Sequence, residues 1–197
     1  MAFRCVTLAS EADVHVRAGQ LIICGEDEIS IPTEDIAALI LEHWRVHLSS
    51  AALASLSETG VAVIFCDRRH MPVGVLTGTH SHSRQSAVAR AQISMSRPLT
   101  KRLWQRLMEA KIHNQAACLD ALALPGADRL REYANRVVSG DTTGVEAAAA
   151  RLYFARLMPG EQRHAGGRLD GALDYGYAIV RALVSRLLVG HGLYAAL

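Results

Sequence analysis

Glu146 stands immediately before four alanines, Ala147 to Ala150, and Arg151, Tyr153 and Phe154 follow. A carboxylate is a hard oxygen donor of the kind that divalent cations take. Alanine is the smallest good helix former, so a second backbone, of protein or nucleic acid, can approach the helix face that carries Glu146. The same residues also fit an ordinary helix start. In Thr143-Gly144-Val145-Glu146, Thr143 is positioned to cap the helix and Glu146 to reach back to the Thr143 amide, a capping box. Taken alone, the residues leave both readings open.

A second chemistry lies in the distribution of charge. The net charge of +2 predicts nothing by itself. Residues 1–79 hold 5 basic and 10 acidic side chains, whereas residues 80–119 hold 7 basic and 1 acidic. Lys101 and Lys111 are the only lysines, so arginine supplies most of the positive charge. Its planar fork suits phosphate oxygens. Arg84, Arg90, Arg97, Lys101, Arg102 and Arg106 are the candidate phosphate contacts, against the alternative of a solvated helix face. Arg90, Arg97 and Lys101 are spaced by seven and four, and share one helix face provided Pro98 does not interrupt it. Lys101-Arg102 and Arg106 form a second row. Trp104 is expected in a core with Leu103 and Leu107, with stacking on a base as the alternative.

Positioning these groups requires a fold. Half of the 197 residues are hydrophobic, enough to bury a real core. The first 76 residues are strand-like: Arg4 to Leu8, Asp13 to Arg17, Gln20 to Cys24, Glu28 to Ile31, Val61 to Cys66 and Val73 to Leu76 are short β-rich runs. Ile36 to Leu41 is a continuous apolar run that fits a strand buried on both faces. Ser49 to Glu58 reads as a helix ended by Gly60. The polar stretch around His80 and His82 reads as a linker whose histidines are solvated. Beyond it, helical periodicity predicts helices over about 84–97, 99–122, 127–138, 143–157 and 169–194. The expected class is α+β: a small, sandwich-like β-domain over 1–76, a linker over 77–84, and a helical domain over 85–197. Tyr153 and Phe154 are expected to pack their helix into the core.

Cys5, Cys24, Cys66 and Cys118 are too dispersed for a zinc knuckle and read as reduced thiols of a cytoplasmic protein. Arg181 and Arg186 interrupt the apolar stretch from Tyr177 to Leu197, which therefore reads as a core helix rather than a membrane span.

Several ordered motifs carry a resemblance. Ile31-Pro32-Thr33-Glu34-Asp35-Ile36, Gly60 through Asp67 with His70-Met71-Pro72-Val73-Gly74, Gly144 to Phe154, Leu173-Asp174-Tyr175-Gly176-Tyr177 and Gly190-His191-Gly192-Leu193 occur in this order. Together they resemble the CRISPR-associated adaptation integrase/endonuclease family, in the version found beside type II effectors. The resemblance spans essentially the whole chain. It implies a metal-dependent enzyme, using manganese or magnesium, that joins a DNA 3′-hydroxyl to a phosphodiester when new spacers enter a CRISPR array. It further implies a homodimer built through the β-domains, a small companion adaptation protein, and spacer and repeat DNA as partners.

Of the family's three metal ligands, the resemblance assigns only Glu146 here, as catalytic and metal-binding. The expected histidine and acidic ligand fall after Leu197, and His164, Asp170, Asp174 and His191 do not match them. The 197-residue chain is therefore expected to be inactive by itself. The alternative is a non-catalytic DNA-binding or scaffold homodimer of an adaptation complex.

Overall fold

The computed structural model describes residues 4–76, 78, 84–161 and 163–194. The chain is α+β, with strands first and helices after. The strands are β1 (Arg4–Leu8), β2 (Ala12–Arg17), β3 (Gln20–Cys24), β4 (Glu28–Pro32), β5 (Ile36–Leu41), β6 (Val46–Leu48), β7 (Ala62–Cys66) and β8 (Pro72–Val75). Helix α1 (Ser50–Glu58) lies between β6 and β7, and α2 (Gln85–Ile93), α3 (Arg97–Ala121), α4 (Ala127–Ala134), α5 (Val145–Leu157) and α6 (Arg168–Gly190) follow. Most of the expected linker, including His80 and His82, lies outside the described residues.

Two compact units emerge by contact. One comprises the described residues of Met1–Ile93 and Asp174–Leu197, and the other Ser94–Leu173. In the first, one sheet has the order β1-β5-β7-β8 and the other β4-β3-β2-β6. Strands β1, β5 and β7 run parallel, and β8 returns antiparallel. Central strands β5 and β7 are apolar without alternation because both their faces are covered. Leu39, Leu41 and Val63 face Val14, Leu21 and Ile23 of the second sheet, with Leu56 of α1 in the same core. Ala38, Ile40, Ala62 and Ile64 form a separate cluster with Ile179, Ala182 and Leu183 of α6. The expected core role of this last helix therefore holds, and no helix among the described residues is long and apolar enough to cross a membrane. Strand β6 was not expected, because Val46-His47-Leu48 offers only a single alternation; parallel pairing with β2 makes it a strand.

In the second unit α3 packs on α4 and α5. Its core joins Met108, Ile112, Ala116 and Leu119 of α3 to Leu130 of α4 and to Val145, Ala149 and Tyr153 of α5. Truncating a fully buried member such as Leu130 to alanine costs about 2–5 kcal/mol. Tyr153 and Phe154 meet edge to face with centroids 5.0 Å apart, and Tyr153 is buried, as expected. Trp104 corrects the sequence reading: it is 48% exposed, and Leu103 and Leu107 are exposed beside it.

Candidate active site

The position of Glu146 follows from how α5 begins. Gly144 precedes the helix with φ +66°, and open space surrounds the place of a side chain there, so only its backbone conformation selects glycine. The cap is Asp141. Its Oδ1 accepts from the Val145 amide at 2.9 Å and its Oδ2 from the Glu146 amide at 3.0 Å. Two orphan amides are thus satisfied by one carboxylate, whose charge also suits a helix N-terminus. This replaces the capping box expected at Thr143. Val145 is the first helical residue, so Glu146 is the second, one place short of the position from which a side chain reaches back.

The Glu146 side chain points elsewhere. Lys111 of α3 donates from Nζ to Glu146 Oε1 at 2.5 Å, with the two side chains 49% and 28% exposed. Along the same flank of α5, Ala147 is exposed and Ala150 half-buried, which leaves the approach open, as the alanine run implies. A divalent cation needs several oxygen donors. Among the described residues Glu146 offers one carboxylate, already matched by a lysine ammonium, so this donor set does not by itself fit the ion.

The basic residues divide. Helix α2 ends at Ile93, and α3 begins at Arg97 with Pro98 in its first turn, where a missing N–H costs nothing. Pro98 thus starts a new helix, and Arg90 does not share a face with Arg97 and Lys101. Arg84, just before α2, and Arg90 within it belong to the first unit. On α3, Arg97, Lys101, Trp104 and Lys111 recur at intervals of four, three and seven, so they form one stripe that ends at Glu146. Arg102 and Arg106 lie on the far side of the helix by the same count. Lys101, counted in both expected rows, lies with Arg97 and not with Arg102 and Arg106. Arg97, Lys101, Arg102 and Arg106 are all exposed, and no ion pair engages them among the described residues. Three other arginines of this unit are ion-paired: Arg131 with Asp120 and Asp128, Arg129 with Glu132, and Arg163 with Asp170. Lys101 is held by its stem, which lies 3.3 Å from where a side chain at Gly140 would begin.

Sequence reasoning missed Lys111 as the partner of Glu146, since 35 residues separate them and only the α3–α5 packing joins them. Asp170, set aside as a family ligand, is buried and serves the loop before α6. It accepts from the amides of His164 at 2.9 Å and Gly166 at 3.1 Å, and from Arg163. The two amides and the guanidinium hold its carboxyl down at about 2 against burial. Its oxygens are committed to the loop.

The family model described as CRISPR associated protein Cas1 matches residues 6–197. A CRISPR-associated endonuclease Cas1 from Neisseria meningitidis serogroup C is 35% identical over 201 residues, covering 100% of this chain and 66% of its own length. One from Pyrobaculum aerophilum is 29% identical over 190 residues, covering 83% of this chain and 60% of its own length. The chain therefore spans about two thirds or less of the curated relatives it matches. Among solved structures, a Cas1 protein from Thermotoga maritima superimposes with a TM-score of 0.70 at 16% identity, covering 96% of this chain and 66% of the other. A casposase bound to its integration product superimposes with a TM-score of 0.74 at 18% identity, covering 97% and 62%. At these identities the likeness is one of fold.

Proposed function

The chain belongs to the CRISPR-associated Cas1 family, and from that premise we propose that it is the DNA-binding and partial catalytic portion of a spacer-inserting integrase. The observation that carries this reading is the stripe on α3. Arg97 and Lys101, exposed and without ion pairs among the described residues, lead along one helix to Lys111, which touches Glu146. A phosphate backbone following these two cations would be brought toward the one carboxylate that the family resemblance assigns. Arg102 and Arg106 would meet a second segment of DNA on the opposite side of the helix, and Arg84 and Arg90 are proposed as phosphate contacts of their own unit.

In this reading Glu146 would hold Mn²⁺ or Mg²⁺ only in company with further donors, and the ion would supply charge stabilisation at a phosphodiester. Within this chain, Lys111 supplies a positive charge to the carboxylate in the ion's absence. The family resemblance assigns one of its three ligands within these residues, so the 197 residues alone are proposed to lack strand-transfer activity. A non-catalytic DNA-binding scaffold is the second reading, favoured by the Lys111–Glu146 pair itself.

Assembly belongs to the same proposal. Edge strand β4 is largely exposed, and Ile29 on it is half uncovered. Such an edge calls for cover, consistent with a cytoplasmic homodimer formed through residues 1–76. The solved Cas6-RT-Cas1–Cas2 complex and TtCas1–DNA complex make a small companion protein and DNA reasonable partners here too.

The test is Glu146→Gln in a polypeptide that continues past Leu197 with the remainder of a family member's length. Manganese-dependent strand transfer is expected to disappear with the circular-dichroism spectrum unchanged. Full strand transfer by that variant would return Glu146 to a purely structural role.

A further inference from the structure

Residues 1–79 are acidic as a whole, yet three of their five basic residues, Arg45, Arg68 and Arg69, sit on two loops. One loop joins β5 to β6 and the other β7 to β8. Between them lies a cavity of about 460 Å³, lined by Glu42, His43, Trp44, Asp67, Arg68 and His70.

Both loops are pinned. Leu8 O accepts from the amides of Glu42 at 3.1 Å and His43 at 2.9 Å. The Arg45 amide donates to His43 Nδ1 at 3.2 Å, and the Arg45 guanidinium lies 2.8 Å from Glu11 Oε1. Trp44, held between these bonds, is nevertheless 77% exposed. In the second loop Asp67 Oδ1 accepts from the amides of Arg69 at 2.8 Å and Met71 at 3.0 Å. These bonds hold its carboxyl below the usual carboxylate range, and they leave Oδ2 unused by the turn. His70 adopts φ +62°, and its Nδ1 lies 3.3 Å from Glu42 Oε1.

An indole on a pinned loop loses little entropy on contact, and leaving it in water forgoes a large apolar burial. The ligand must match the rest of the lining, which is ionic. The dry centre of a protein interface is depleted of charge, so a protein partner fits poorly. An unpaired nucleobase fits each element. Its π-face would stack on Trp44, the single exocyclic amine of adenine, cytosine or guanine would meet the carboxylate of Glu42 or Asp67, and its phosphate would meet Arg68 and Arg69. Neither of these arginines has an ion pair among the described residues.

We infer that the β5–β6 and β7–β8 loops form a stacking site for an unpaired nucleotide of single-stranded DNA, with Trp44 as the platform. This rests on the DNA-binding reading above and adds to it a strand preference at a place remote in sequence from Glu146 and α3.

The experiment measures binding of a fluorescently labelled oligo-dA strand and of a blunt duplex by anisotropy, for the 197-residue chain and its Trp44→Ala and Trp44→Phe variants. One stacked base is worth roughly 5- to 150-fold in affinity. Trp44→Ala is expected to weaken single-strand binding by that factor, Trp44→Phe to restore most of it, and duplex affinity to stay unchanged. Only two tryptophans occur, so in a Trp104→Phe background the remaining emission is expected to be quenched saturably by oligo-dA. Single-strand affinity indifferent to Trp44→Ala overturns the inference while leaving the duplex reading in place. So does a halved mass of the Trp44→Ala variant by light scattering with no change in DNA affinity, which would mark a contact between copies. Failure of the chain to bind either form of DNA removes both readings.

Discussion

Lys111 Nζ lies 2.5 Å from Glu146 Oε1, so the one carboxylate that the family resemblance marks as a metal ligand is matched here by an ammonium. A lysine at that distance opposes a divalent cation by charge and occupies a lone pair the ion would use. Lys111→Met is therefore expected to tighten Mn²⁺ binding to the chain several-fold, as read by electron paramagnetic resonance of the free ion. Both partners are partly exposed, and such pairs contribute about 0–1 kcal/mol. The urea midpoint should accordingly move little. Unchanged Mn²⁺ affinity would mean that the lysine is only a neighbour.

The α3 cations make two separable contributions. Each phosphate contact with duplex DNA contributes about 0.9 to the slope of log affinity against log salt. Arg97→Ala with Lys101→Ala should lower that slope by about two. Arg102→Ala with Arg106→Ala, on the opposite side of the helix, should lower it by less than one when the duplex is too short to reach both sides. Equal losses from both pairs would show that charge density counts and the stripe leading to Glu146 does not.

Much of this arrangement is legible in the sequence because it is local or periodic. The two-sided burial of β5 and β7 follows from Ile36–Leu41 and Ala62–Cys66 lacking alternation, and α5 follows from its alanine-rich run. The Asp141 cap is hidden because it acts across a left-handed turn through Asp141 and Gly144, whereas pattern reading looks only three residues back from the glutamate. The exposure of Trp104 is hidden for another reason. Leucines and a tryptophan at helical spacing look the same whether the face is covered or bare, and here Met108 and Ile112 take the core instead. The pairing of Lys111 with Glu146 depends on the packing of two helices far apart in sequence.

The cap can be assigned by substitution. Asp141→Ala removes acceptors from two amides and is expected to cost about 1–2 kcal/mol of unfolding free energy. Thr143→Ala should stay within about 0.5 kcal/mol, because its hydroxyl is not the cap. Gly144→Ala should cost about 1 kcal/mol through its positive φ alone, since nothing crowds the new methyl. Denaturant melts of the three variants decide the order. A larger loss at Thr143 than at Asp141 would restore the capping box.

Asp170 sets the acid limit of the loop before α6. Its carboxyl titrates at about 2 in the folded chain, against an ordinary 3.8, because the His164 and Gly166 amides and Arg163 favour the ionised form. The unfolded chain therefore binds more protons than the folded one between these values. The carboxylate's contribution is fully present above about 3.8 and is lost as the pH falls toward 2. Asp170→Asn keeps one acceptor oxygen but turns an amide NH₂ toward groups that can only donate. At neutral pH its melting temperature should fall by several degrees. As the pH drops from 4 to 2 the wild type should lose this advantage, and the two stability curves should converge. Melts across that range test the assignment. Curves that descend in parallel to pH 2 would show that Asp170 does not supply the acid-sensitive contribution, and that its amide bonds matter only as geometry.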